Sequence, residues 1–436
     1  MKAWIATSTI VVILTGIAQF QCLAESTSKT ESAINTSVTL TDGAEDVCAS
    51  LRHYKFPIDS GLYASIAGFM SVPRVTIPNQ KSYTLEIKSF RKKLAVQAVL
   101  QSGNAPLVVV LPGIGGQASD DFTKLWPSWF AQSGYHVLWF DSTFLPTFID
   151  AYGHGVSGNV LDESQGVADV IAAFLNLNEV KGRVSQIGVV GISYGAVEAL
   201  VLGKMARLGS LPFHVDAIQA YSPPLNMKKS AEILDRWYSE DRPKYSMVEL
   251  QLAFGLSKHK ESSSNRFSTS MLRAAISASL HEQLPGVIVQ NDEIFSLNKF
   301  PQTETSLKGL PGQLDVDEAA VKNDAASNWG FLDYAYTFAY PFWERKLGIP
   351  SLEPLIVATQ MNKLLQSQPP HSEAIVSRDD PLNMPDDLAE LAGKHLPLII
   401  LPRGGHVGYI NNEWTKRKLL CLFSGCGATA ISENYR

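Results

Sequence analysis

The residues best suited to chemistry in this chain are a serine, a histidine and a pair of aspartates, far apart in sequence. Ser193 lies in Gly191-Ile192-Ser193-Tyr194-Gly195, between the strand-like run Ser185 to Val190 and the helix-prone run Ala196 to Leu208. A sharp strand-to-helix turn holds a serine in strained backbone geometry, and glycines two residues to either side let neighbouring elements close in. The helix start beside it favours negative charge developing on a reacting oxygen. Three fixed positions in five recur by chance, so partners must support the pattern. His406 lies in Arg403-Gly404-Gly405-His406-Val407-Gly408, just past the apolar run Leu398 to Leu401. Asp379-Asp380-Pro381 follows the run Ala374 to Ser377. Serine, acid and histidine in that chain order suit a nucleophile whose proton is taken by an imidazole that a carboxylate orients.

Either aspartate could orient His406. Asp380 is favoured because the proline directly after it fixes the turn as the strand exits. The other usual place for the acid, the end of the preceding strand, reads Tyr221-Ser222-Pro223-Pro224-Leu225-Asn226 and offers no carboxylate. Leu111-Pro112-Gly113-Ile114-Gly115-Gly116 follows another apolar run, and backbone N–H groups there meet little side-chain obstruction. The N–H groups of Ile114 and Tyr194 are therefore the expected oxyanion donors. The same loop lacks the Lys-Ser/Thr of a P-loop and the full G-x-G-x-x-G of a dinucleotide site.

These loops need a scaffold. Tyr83 to Lys88 and Leu94 to Gln101 read as paired strands around the charged turn Arg91-Lys92-Lys93. Short apolar runs then alternate with amphipathic stretches: Leu107 to Leu111, Val137 to Phe140, Ile187 to Val190, Ala217 to Tyr221, Ala374 to Ser377 and Leu398 to Leu401. Near-continuous apolar strands separated by helices predict an α/β protein with a mostly parallel central sheet covered by helices on both faces. The alternation lapses between about 223 and 370, where helical patterns (Ala231 to Tyr238, Met247 to Phe254, Met271 to Leu280) predict a helical cap inserted over the strand ends. Within it, the aromatic segment Trp329 to Trp343 could line an acyl pocket or pack as a helix core.

Leu111-Pro112-Gly113, Gly191-x-Ser193-x-Gly195, Asp379-Asp380-Pro381 and Gly404-Gly405-His406-x-Gly408 together resemble the α/β-hydrolase superfamily, more narrowly its YheT-like and abhydrolase-domain branch. The resemblance runs from about Leu94 to Phe423 and includes Ser222-Pro223-Pro224-Leu225 and Asn328-Trp329-Gly330-Phe331. It implies an α/β-hydrolase fold and hydrolysis of carboxylic esters without a cofactor, with the second aspartate of the pair as the acid. The chain departs from the family at Pro112, where a histidine is common, and in its N-terminus.

Met1-Lys2 precedes an apolar stretch, Ala3 to Ala18, and a small-residue end at Ala24, the pattern of a signal peptide over residues 1–24. A membrane anchor and lipid attachment at Cys22 are the competing readings. Residues 25–46, rich in Ser, Thr, Glu and Asn, read as a flexible leader, and the folded part as residues 47–436. Export to the periplasm or beyond would let disulfides persist. Cys421 could bridge to Cys426, or Cys48 could staple the N-terminal segment to the C-terminus. No histidine or second cysteine pair stands near them at metal-ligand spacing. A net charge of -5 gives no basic footprint for nucleic acid.

The expected function is that of an exported serine ester hydrolase acting on a small-molecule ester. An acyltransferase or peptidase would use the same residues, and a silent binding protein would keep the fold without the chemistry. The cap also leaves open a peripheral contact with lipid or a membrane.

Overall fold

The computed structural model describes residues 54–153, 155–246, 248–250, 267–288 and 329–424. Residues 1–24 and 25–46, together with Cys48, Cys426, Asn328 and most of the helix read over Met247 to Phe254, lie outside the described residues.

In chain order the elements begin with helix α1 (Gly61–Met70) and the strands β1 (Lys81–Leu85), β2 (Leu94–Val99) and β3 (Ala105–Leu111). Helix α2 (Asp121–Gln132), β4 (His136–Trp139), α3 (Pro146–Tyr152), α4 (Val160–Leu175), β5 (Val184–Ile192), α5 (Tyr194–Arg207) and β6 (Ala217–Tyr221) follow. Between β6 and β7 the described residues form helices only: α6 (Met227–Glu240), α7 (Thr269–His281), α8 (Phe331–Tyr334), α9 (Tyr340–Leu347), α10 (Glu353–Ala358) and α11 (Met361–Leu365), with a short 3₁₀ turn after α6 and a π turn joining α8 to α9. Strand β7 (His371–Ser377), α12 (Pro385–Ala392), β8 (Leu398–Leu401) and α13 (Glu413–Leu420) complete the described chain.

The strands form one eight-stranded sheet in the order β1-β2-β4-β3-β5-β6-β7-β8. β1 and β2 run antiparallel to their neighbours, and every pair from β4 to β8 is parallel. Period-two alternation divides the core between the two faces. Leu107, Val109 and Leu111 of β3 pack into the cluster that holds Val170 of α4 and Leu200 of α5. Val108 and Val110 face the opposite way, toward Trp126 and Phe130 of α2 and Leu419 of α13. Because helices cover both faces, β6 is buried along its whole length. Edge strand β1, exposed on most of its residues, is instead polar.

One buried ion pair ties α13 to the sheet. Lys418 Nζ lies 2.5 Å from Glu373 Oε1 on β7, and Gln219 Nε2 donates to the same oxygen at 3.0 Å. Nearby Cys421 is a buried free thiol, and its candidate partners Cys48 and Cys426 lie outside the described residues. Burial pushes that thiol's pKa up, leaving little of the reactive thiolate.

Helix α1 precedes the sheet in sequence and packs on α7 through its own small core of Tyr63, Ala64, Ile66 and Ala67 against Leu272, Ala274 and Ala278. No helix among the described residues is long and apolar enough to cross a membrane.

Candidate active site

Four loops meet at the C-terminal ends of β3, β5, β7 and β8. Ser193 sits in the turn from β5 to α5 with φ 54° and ψ -116°, a positive φ that a non-glycine residue adopts only when its surroundings enforce it. The glycines of the turn are required by contact. A Cβ on Gly191 would come within 2.1 Å of Gly195 O, and one on Gly195 within 2.4 Å of Pro112 O. The serine N–H is fixed by donation to Tyr221 O at 2.8 Å.

His406 reaches the serine from the loop after β8. Its Nε2 lies 2.9 Å from Ser193 Oγ, and its Nδ1 lies 2.9 Å from Asp380 Oδ2. The Asp380 side chain is fully buried and also accepts from Leu382 N–H at 2.9 Å and Asn383 Nδ2 at 3.1 Å. Asp379 takes a different position: its Oδ1 accepts the Gly405 N–H at 2.9 Å, so it holds the loop rather than the ring.

The histidine loop is itself strained. Gly404, Gly405 and Val407 all have positive φ, and for a β-branched residue such as Val407 this is a genuine outlier. Side-chain oxygens from two other elements stabilise it: Ser65 Oγ of α1 accepts the His406 N–H at 2.8 Å, and Ser222 Oγ accepts the Val407 N–H at 3.1 Å. Ser222, with φ 48°, is in turn fixed against Tyr409 Oη at 2.9 Å.

Gly113 approaches the serine so closely that a Cβ there would lie 3.1 Å from Ser193 Cβ. The next residue, Ile114, borders the same space as Ser193 and His406. Tyr194 is the first residue of α5, where the leading N–H groups have no intrahelical acceptor.

Behind the elbow lies a buried acidic pair that sequence reasoning missed. The Tyr194 hydroxyl donates to Glu163 Oε2, and the Gly158 N–H donates to Glu163 Oε1 at 2.7 Å. Burial pushes the Glu163 carboxyl up to about 7, with the hydrogen bonds from Tyr194 and Gly158 acting against the rise. Burial, reinforced by the charge of Glu163, also holds Glu198 well above the usual carboxylate range, and Thr143 Oγ1 donates to it at 2.6 Å. The two acids stand 35 residues apart in sequence, and only the packing of α4 on α5 brings them together.

Two cavities open on either side of Ser193 and His406 and share Ile114, Leu280 and Leu382 as walls. The larger, about 620 Å³, is bounded by Ile66, Phe69 and Met70 of α1 and by Phe122, Ile276 and Leu280. The smaller, about 160 Å³, is bounded by Leu234 of α6 and by Phe331, Tyr334 and Tyr340. The aromatic segment thus divides its roles: Phe342 and Trp343 are packed in the core, while Phe331, Tyr334 and Tyr340 line a cavity.

No family model and no curated protein matches this chain. Among solved structures it is similar to an esterase of Pyrococcus furiosus, at 15% identity and a TM-score of 0.39, over 80% of this chain and 96% of that one. An esterase of Pyrobaculum calidifontis is similar at 12% identity and a TM-score of 0.38, over 95% and 98% of the two chains. An acylaminoacyl peptidase of Pyrococcus horikoshii is similar at 14% identity and a TM-score of 0.38, over 79% of this chain and 41% of that one. None of these similarities singles out the YheT-like branch. The strand order, the two antiparallel leading strands and the strained serine turn after β5 give this chain the α/β-hydrolase fold.

Proposed function

We propose that the protein is a serine hydrolase that cleaves carboxylic esters through an acyl-enzyme. The observation that carries this reading is the relay Ser193 Oγ, His406 Nε2, His406 Nδ1 and Asp380 Oδ2, with 2.9 Å at each contact, between two mainly apolar cavities. Ser193 Oγ attacks the ester carbonyl carbon while His406 Nε2 takes its proton. Asp380 holds the ring with Nδ1 protonated and stabilises the imidazolium. The N–H groups of Ile114 and Tyr194 are the proposed donors to the oxyanion, each contributing ~3 kcal/mol. The imidazolium then gives its proton to the departing alcohol oxygen. Water, deprotonated by the same nitrogen, attacks the acyl carbon, and the acid leaves as Ser193 regains its proton.

The helices between β6 and β7 act as a cap in this reading, since Leu234, Phe331 and Tyr334 close one side of the site. The N-terminal pattern of residues 1–24 adds export to the proposal, which N-terminal sequencing of the mature protein would test. A fluorophosphonate probe should label the wild type at Ser193 and hydrolysis of p-nitrophenyl esters should vanish in Ser193→Ala. An unlabelled serine in folded protein would overturn the reading.

A further inference from the structure

Helix α1 lies outside the motifs that identify the chemistry, yet its contacts converge on the site. Ser65 Oγ accepts the His406 N–H at 2.8 Å and donates to Gly61 O at 2.7 Å, so it is fixed in its own helix while holding the histidine's backbone. The helix and the loop meet backbone to backbone. A Cβ on Gly68 would come within 2.3 Å of Gly408 Cα, one on Gly405 within 2.2 Å of Gly61 O, and one on Gly61 within 1.9 Å of Asp379 O. Residues flanking the helix fasten the same loop, Tyr54 Oη donating to Arg403 O at 2.8 Å and Asn411 Nδ2 to Ser71 Oγ at 2.8 Å.

The same helix presents Ile66, Phe69 and Met70 to the larger cavity. At about 620 Å³ this cavity has roughly four times the volume of the 160 Å³ one across the serine. An apolar cavity near 150 Å³ holds a group the size of benzene, so the two sides of the scissile bond are sized for unequal arms. Among the described residues that line the larger cavity, Asp120 is the one acid, and no lysine or arginine is present to neutralise a charged chain end.

We propose that helix α1 is a working part of the active site: Ile66, Phe69 and Met70 select the longer apolar arm of an uncharged ester, and Ser65 positions the loop that carries His406. This rests on the ester-hydrolase reading and assigns its substrate class. Ser65 is a positioning residue, acting on the reaction through His406. The larger cavity takes a linear or bulky apolar arm, the smaller one a compact group.

The test uses p-nitrophenyl esters from acetate to dodecanoate, with fluorophosphonate labelling of the same preparations. In the wild type kcat/KM should rise with chain length. Ile66→Trp should lower the dodecanoate-to-acetate ratio of kcat/KM at least tenfold. Phe69→Ala, at a position that is 49% exposed, should lower that ratio through KM of the long ester. Ser65→Ala should reduce kcat about tenfold at every chain length with KM little changed, and slow labelling in parallel, an effect that loss of packing alone would not confine to kcat. A labelled wild type with no preference for longer chains, ratios unmoved in both cavity variants, or a Ser65→Ala enzyme altered only in KM would overturn this inference and leave the ester reading intact. A wild type that the probe does not label would overturn the ester reading itself.

Discussion

Glu163 offers a prediction whose size can be worked from its surroundings. The folded protein keeps this carboxyl protonated to about 7, whereas an unfolded chain releases the proton near the ordinary value of 4.5. Between those two values the unfolded state binds fewer protons, so stability falls as pH rises through the window. Stability from this group is fully present below pH 4.5 and gone above about pH 7. At ~1.4 kcal/mol per pH unit the rise amounts to ~3 kcal/mol. Glu163→Gln removes the titration while keeping the shape. Its amide oxygen can accept from the Gly158 N–H, and its NH₂ can donate to the Tyr194 oxygen once that hydroxyl rotates. Urea unfolding at fixed temperature from pH 4.5 to 8 is the assay. The variant should match the wild type at the acid end and exceed it by ~3 kcal/mol at the alkaline end, with the m-value unchanged. Glu198 titrates in both proteins, and because the charge of Glu163 helps to raise its pKa, the difference reports Glu163 together with its coupling to Glu198. A difference between the two proteins that stays flat with pH would refute the reasoning.

Other outcomes follow from the same geometry. Asp380→Asn, which disturbs the tautomer of His406, should lower kcat ~10³–10⁴-fold, as loss of the orienting carboxylate does in such relays. Asp379→Asn keeps an oxygen for the Gly405 N–H, so steady-state kinetics should show a loss of less than about tenfold, since this side chain does not touch the ring. Lys418→Met leaves Glu373 charged in the core beside Gln219 and should cost about 3–5 kcal/mol in urea unfolding. Relief of the pair without loss of stability would mean that water reaches that carboxylate.

Much of the scaffold was legible because its strands are buried on both faces and their apolar runs have abrupt ends. The runs Ala217 to Tyr221 and Leu398 to Leu401 coincide with β6 and β8, since a turn residue follows each directly. Strand β5 is longer than its apolar run: Val184, Ser185 and Gln186 are paired or exposed residues beyond the buried stretch. The serine turn was legible because its glycines stand at fixed places in a short motif, although only Gly191 is dictated by a near neighbour, Gly195, while Gly195 itself is dictated by Pro112 and Leu111 of the distant β3 segment. Whether Asp379 or Asp380 faces the ring depends on which way each carboxylate points from a turn. The proline argument chose Asp380, which is the one beside His406 Nδ1. Ser65 and Glu163 carried no signal, and Ser222, although inside a motif of the resemblance, carried none for its hold on the histidine loop. Each acts on a partner distant in sequence, and a serine in a helix or a glutamate in an amphipathic stretch is ordinary until the fold sets its neighbour. The volumes of the two cavities were likewise out of reach, since side chains from α1, α6, α7 and α8 set them jointly.

The embrace of the histidine loop by residues 54–71 has a consequence for biogenesis. The bonds from Tyr54 to Arg403 and from His406 to Ser65 span 349 and 341 residues, nearly the whole described chain. Contacts of such long range close late, after the intervening sheet has formed. On the proposed reading, a ribosome-bound or C-terminally clipped chain without residues 403–408 would thus lack the base assigned to Ser193. Reactivity toward a serine probe would then report, in a single readout, that synthesis had passed the histidine loop and that helix α1 had docked on it.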